Sequence, residues 1–353
     1  MSTIHILTQY IWPDAAPTGL YAEQLAERLH QDGCDVRLVG GRGGYRTLHR
    51  PKPEVRLVHL DHRPGRRGNL FQTMAEYAAV KGTFQDYIKR SVRAGDTVIV
   101  TSAPPNTVSL ARAIRARGAR AIYWLQDYYP ELIRGLREYP QPLRKTFRHL
   151  WDRQLARWDC VVKIGTNLGG PDRNSVIIRN WPTMDMESET SPEPATALYS
   201  GNLGYGHDVA LLVSACEKLR EQGYRITIRA DGRGVQRLPE WLKAAPLHQD
   251  PARLRDDLLR HEVHLVAADP RIRQAVFPSK IWNSFAAERQ LICTGFSGEM
   301  AQELESASIA PFAEHLGQWS ELVRNTSGSL SRPEMFPRTV SEAAPDLRAP
   351  ALA

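Results

Sequence analysis

The chain has 353 residues, 42% hydrophobic and 24% charged, with a formal net charge of +7; that length allows two cores with the balance of an ordinary soluble protein. No apolar run reaches the roughly 20 residues of a membrane span, and no basic leader with a cleavage site opens the chain, so a cytoplasmic protein is expected. The four cysteines are scattered without Cys-x-x-Cys spacing, which argues against a disulfide framework or a zinc knuckle.

Predicted elements alternate between strand and helix along the chain. Ile4–Thr8 reads as a buried strand, Pro13–Gly19 as a turn, and Leu20–Leu29 as a helix with Ala22, Leu25, Ala26 and Leu29 on one face. Strands follow at Val36–Val39 and Val55–Leu60, then a helix over Leu70–Arg90. Strands Thr97–Thr101 and Ala121–Leu125 are joined by a helix over Thr107–Arg117, and strands Cys160–Ile164 and Val176–Ile178 close the first half. An acidic, proline-spotted stretch from Thr183 to Pro194 intervenes, and the second half brings strands at Ala197–Ser200, Arg225–Ala230, Val263–Ala267 and Gln290–Thr294. Short, continuously apolar, β-branched strands are those of a parallel sheet covered on both faces, so an α/β fold of two Rossmann-like halves is expected. Past Asn325 the periodicity is lost, and a loosely packed or disordered tail is expected over 326–353.

The positive charge favours anionic partners. Basic residues gather at His62–Arg67, Lys89–Arg93, Arg112–Arg120 and Arg134–Arg153. In the last cluster, Leu143, Phe147, Leu150, Trp151 and Leu155 recur at helical spacing among Arg144, Lys145, Arg148 and Arg153, which suits either a helix packed on its own domain or one resting on an anionic membrane. No nucleic-acid recognition motif is visible, so nucleic acid is not an expected partner.

Three segments carry chemistry. Leu198–Leu219 reads as a short strand, a turn with Gly201, Gly204 and Gly206, and an amphipathic helix, the arrangement by which α/β domains cradle phosphate. In Val276–Gly295, Pro278 and Ser279 turn into a helix that Ser279 can cap, and Lys280 adds a point charge at its mouth, a pairing suited to a diphosphate or simply to a capped helix. Asp127 follows a strand at the carboxyl edge of the first sheet, where Trp124, Tyr128 and Tyr129 would partly desolvate it; it is either an acid-base group or the opening residue of the helix that Pro130 starts. The aromatic cluster either stacks on a sugar or fills a core.

Taken together and in order, LYSGNLGYGH, WLQDYYPE (Trp124–Glu131) and VFPSKIWNSFAAE resemble the elements of bacterial family 4 glycosyltransferases, which have the GT-B fold, and most closely the branch assembling O-antigens and colanic acid. The resemblance also takes in ILTQYIWPDAAPTGLYAEQLAERL and VIIRNWP, and covers nearly all of Ile4 to Phe312. It implies an acceptor-binding domain over 1–182, a linker over 183–196 and a nucleotide-sugar domain over 197–325. It also implies a retaining transfer from a nucleotide-diphosphate sugar to a glycan or lipid-linked acceptor in cell-surface polysaccharide synthesis, at the inner face of the cell membrane, with no cofactor besides the donor.

Residue by residue, the resemblance places Gly201, Asn202, Leu203 and Gly204 against the donor from the second domain, and Thr18 and Gly19 from the first. Lys280, with Ser279 beside it, would hold the diphosphate, and Asp127 would act as base once closure brings it against the Gly201 turn. Asp231–Gly234 matches a Gly-Asp-Gly element with Ala230 in place of its first glycine, so Gly232 is assigned to the donor and Arg233 to helping Lys280. Asn202 and His207 stand where relatives keep an Arg and a Lys; Ala275 and Asn283 stand where they keep two glutamates, and Asn283 is left to bond a ribose. With no Asp-x-Asp motif, transfer without metal is expected. A nucleotide-sugar epimerase or hydrolase of the same fold, or a binding subunit with weakened catalysis, are the alternative readings; a nicotinamide dehydrogenase is disfavoured because neither turn has Gly-x-Gly-x-x-Gly.

Overall fold

The computed structural model describes residues 2–42, 47, 50–61, 70–136, 140–187, 191–204, 206–296 and 312–324. The first unit runs β1 (Thr3–Tyr10), α1 (Pro17–Gln31), β2 (Asp35–Gly41), β3 (Arg56–His59), α2 (Leu70–Ser91) and β4 (Thr97–Thr101). It continues through a 3-10 turn at Pro105–Leu110, α3 (Ala111–Arg115), β5 (Arg120–Leu125), α4 (Tyr129–Leu136), α5 (Gln141–Leu155), β6 (Cys160–Lys163) and β7 (Ser175–Ile177). The second unit has β8 (Glu193–Asn202), α6 (Val209–Glu221), β9 (Arg225–Asp231), β10 (Ala244–Ala245), α7 (Pro251–Arg260), β11 (His261–Ala267), α8 (Lys280–Ala286) and β12 (Gln290–Thr294), and α9 (Phe312–Arg324) follows.

Every strand pairing is parallel. Seven strands form one sheet in the order β3-β2-β1-β4-β5-β6-β7, and five form another in the order β10-β9-β8-β11-β12. All of β1 and β4 is buried, because helices cover both faces and leave no polar side for alternation. In each sheet the chain reverses its direction of travel beside the first strand, between β1 and β4 and between β8 and β11. Such reversals open a crevice at the carboxyl ends, where ligands of α/β proteins bind. The carboxyl ends of β8 and β11 are Gly201–Asn202 and Ala267.

The elements depart from the sequence reading at several places. β8 begins at Glu193, inside the expected linker. The helix expected over Thr107–Arg117 is a 3-10 segment followed by a short α-helix. Helix α7, not expected, has Asp250 as its cap, accepting from the Ala252 amide, with Pro251 at its first position. Helix α9 was also not expected, and it packs mainly on the first unit: Trp319, Leu322 and Val323 join the core of the first sheet, with Trp319 tilted against Trp124 at 4.8 Å, while His315 meets Trp282 of α8 edge-on at 5.9 Å. Ile281 and Trp282 of α8 and the preceding Phe277 belong to that core too, whereas Tyr199, Leu203, Leu212 and Cys216 build a separate core under the second sheet. The expected tail at 326–353 and the basic cluster at His62–Arg67 lie outside the described residues.

Candidate functional site

A cavity of about 660 Å³ lies at the carboxyl ends of β8 and β11. Its wall on the second unit includes Gly201, Asn202, His207, Ser279, Lys280 and Asn283, and on the first unit Ala15, Pro17, Leu20 and Leu132. The site therefore sits at the crevice that the strand order dictates, between the two sheets.

Lys280 is its main cation. Its Nζ donates to the Tyr199 hydroxyl at 2.9 Å and lies 4.3 Å from the centre of that ring, and its stem rests on the bare Cα of Gly201. Gly201 has φ 147°, and a Cβ there would meet the lysine Cε and Nζ, so conformation and space both require glycine. Surrounding protein desolvates the ammonium and pushes its pKa down to about 7. His207 faces the same ring edge-on at 6.5 Å. Burial first, and the Lys280 charge second, lower its pKa to about 3, and its Nδ1 is buried with no hydrogen-bond partner. A neutral imidazole and a weakly held ammonium thus converge where an anion would reverse both shifts.

The glycine turn differs from the expected cradle. Asp208 caps α6, its carboxylate accepting from the Ala210 and Leu211 amides. The helix end that would have faced a phosphate is already neutralised by the chain's own carboxylate, so the turn's charge comes from Lys280. Leu203 is fully buried; its amide donates to the Asp231 carbonyl, and its own carbonyl accepts from Gly234. Gly232, at φ 99°, passes so close to Asn202 Oδ1 and the Leu203 carbonyl that no side chain fits. Arg233 is not beside Lys280. With Gly204, Arg237 and Arg271 it lines a neighbouring cavity of about 290 Å³ that shares only the His207 wall with the first.

Several assigned residues are placed elsewhere than expected. Thr18 and Gly19 are in the first turn of α1, and Gly19 packs against the Tyr10 carbonyl, letting helix and strand approach; Pro17 and Leu20 face the cavity instead. Ser279 makes no side-chain cap bond to α8. Asn283 lines the cavity, but its amide is bonded to Thr183, accepting from that residue's amide at 2.8 Å and donating to its hydroxyl at 3.2 Å. The aromatic cluster is core: Trp124 is fully buried against Trp181 and Trp319, and Tyr128 donates to Asp152 at 2.7 Å.

Asp127 is not in the cavity wall. It is partly buried directly behind it, in a backbone bridge with Val276, which does line the wall. Ser102 Oγ accepts from the Asp127 amide, and desolvation pushes the carboxyl up to about 6. Asp127 thus lies against the segment before Pro278 rather than beside the Gly201 turn.

A "Glycosyl transferase 4-like domain" profile matches residues 18–164. No curated protein matches the chain. Among solved structures, sucrose-phosphate synthase from Thermosynechococcus elongatus is similar at TM-score 0.57 and 13% identity, over 92% of this chain and 95% of that one. An E. coli structure described as trehalose-6-phosphate bound with UDP-2-fluoro glucose is similar at TM-score 0.55 and 12% identity, over 92% and 95%. The pneumococcal O-GlcNAc transferase GtfA in complex with UDP and GlcNAc is similar at 0.57 and 8%, over 92% and 98%. The whole chain has the GT-B fold, and residues 18–164 match a glycosyl transferase 4-like domain.

The two units of this GT-B fold are tied together at the cleft by residues that sequence reasoning missed. Asn167, 3% exposed, donates through Nδ2 to the carbonyls of Arg273 at 2.7 Å and Val276 at 3.1 Å. The Tyr128 amide donates to the Ala275 carbonyl at 2.7 Å and the Gly169 amide to Gln274 at 3.2 Å. Ala275 contributes its backbone where a glutamate side chain was anticipated, and it is completely buried. The segment leading to Lys280 is therefore held on both sides by loops of the first unit. Among the described residues no three His, Cys, Asp or Glu side chains come together as metal ligands.

Proposed function

We propose that the protein is a glycosyltransferase that moves a sugar from a nucleotide-diphosphate donor to a hydroxyl of a glycan or lipid-linked acceptor, with retention and without a metal, in cell-surface polysaccharide synthesis at the inner face of the membrane. The observation that carries this reading is Lys280 laid over Gly201 inside the cavity between the sheets. There its ammonium, with His207 across the same ring, meets the diphosphate. The bond from the anomeric carbon to the diphosphate oxygen breaks, and the negative charge that develops is taken up by Lys280. The acceptor oxygen bonds to that carbon from the same face, and its proton leaves to Asp127, which reaches the cavity when the Val276 segment bridged to it moves aside, and whose carboxyl near 6 is ionised at neutral pH and basic enough to accept. The UDP and UDP-sugar complexes among the similar structures support a nucleoside diphosphate as the leaving group.

A panel of nucleotide sugars read by thermal shift and nucleotide release tests this. A stabilising donor, and its turnover only when acceptor is added, are expected; turnover without acceptor would move the reading to an epimerase or hydrolase. One observation favours a second reading, a binding subunit without turnover: Asn283 is committed to Thr183 and Ala275 lacks a carboxylate, so both positions that relatives give to donor contacts are otherwise engaged. Binding with no turnover on any acceptor would establish it.

A further inference from the structure

The large apolar side chains left exposed are unevenly distributed. Leu143, Phe147 and Leu150, at 60%, 37% and 52%, all lie on α5, and Met74 at 59% is on α2. On a helical projection the three α5 residues fall within a sector of about 60°. Arg144 and Arg153 border that sector on either side, Lys145 and His149 lie further round, and Asp152 is the helix's sole acidic residue. Trp151 and Leu155, next to that sector on the Arg144 side, anchor the helix in the first core, and Trp151 lies 5.7 Å from Tyr129 of α4 and 5.9 Å from Phe147. Helix α4 begins two residues after Asp127, and its Leu132 lines the cavity.

We propose that this face of α5 docks on an anionic lipid bilayer. An apolar ridge bordered by arginines is complementary to acyl chains lying beneath acidic headgroups, with the guanidinium stems reaching to the phosphate level. A second copy of the chain is a poorer occupant, since a two-fold contact would bring the basic residues of one α5 against those of the other. Docking this way places the Asp127 side of the cleft next to the membrane surface, where a lipid-linked hydroxyl is presented; that last step rests on the proposed transfer, whereas the docking itself rests on the surface alone.

The test is co-sedimentation of the full chain with phosphatidylglycerol vesicles and with phosphatidylcholine vesicles, at low and at physiological salt. Wild-type protein should bind the phosphatidylglycerol vesicles and not the neutral ones, with affinity falling as salt rises. Leu143→Ser, Phe147→Ser and Leu150→Ser combined should weaken binding at least ten-fold, and Arg153→Glu, reversing one charge, about twenty-fold or more. Unchanged melting and elution volume show that the variants fold; if the triple variant does not, Leu143→Ser with Arg153→Glu replaces it. Absence of wild-type binding at low salt, wild-type affinity in the folded variants, or a dimer that the same substitutions dissolve would each overturn the proposal. No sugar enters the measurement, so a failed nucleotide-sugar panel with intact vesicle binding would refute the transfer reading and leave the docking standing.

Discussion

Replacing Lys280 by Met should make the protein more stable and unable to bind its donor. The lysine is depressed from its ordinary 10.5 to about 7 by burial, so the folded state releases its proton where the unfolded chain keeps it. At pH 7 that difference opposes folding by about 4 kcal/mol, taken as a ceiling because the side chain is not wholly enclosed. Methionine keeps the stem over Gly201 but leaves the Tyr199 hydroxyl without the ammonium it bonds, which costs back about 1–3 kcal/mol. The net gain should be at most about 1–3 kcal/mol, read from urea denaturation at pH 7. Because the folded lysine loses its proton first, the penalty is full below pH 7 and fades as pH rises towards 10.5, so the gap between variant and wild type should narrow across that window. In the same preparations, the thermal shift given by the nucleotide sugar that stabilises wild type should vanish. A variant less stable than wild type, or a stability gap indifferent to pH, would refute the claim that Lys280 is held in a desolvated, binding-ready state.

Asp127→Asn should slow transfer by a factor of about 100 or more without altering donor affinity, and the wild-type rate should fall about ten-fold per pH unit below 6, where the desolvated carboxyl becomes protonated; initial rates from pH 4.5 to 8.5 check both. Asn167→Ala removes the amide donating to the Arg273 and Val276 carbonyls, so it should raise the donor KM more than it lowers kcat and increase the radius of gyration in small-angle scattering. Trp319→Ala should destabilise by about 3–5 kcal/mol in denaturant, since the ring is fully buried against Trp124.

Much of the architecture was legible because strands such as Thr97–Thr101 are buried on both faces and read as unbroken β-branched runs. Helix α9 was legible in principle: Leu316, Trp319, Leu322 and Val323 repeat at helical spacing, but the pattern is short and runs directly into an aperiodic tail. Asp208 was legible too, because an Asp directly before an apolar helix is a cap, and a capped terminus is not free for a phosphate. Gly201 and Lys280 could be paired in advance because both lie in distinctive local motifs. Asn167 could not: an asparagine in a loop looks like any turn residue until the fold sets it 106 positions away from its partner Arg273. The commitment of Asn283 to Thr183 was equally invisible, because an amide that can reach a ribose can as well reach a neighbouring segment.

The placement of Trp319 has a consequence for synthesis of the chain on the ribosome. Trp124 and Trp181 emerge long before residue 319, and until α9 arrives the first sheet presents an open aromatic face. The amino-terminal unit therefore cannot complete its core while the rest of the chain is being made, and two sheets that look like separate modules mature together. An expression fragment ending at residue 182 should emerge sticky and chaperone-dependent, and supplying the 312–324 helix as a separate peptide should restore its solubility.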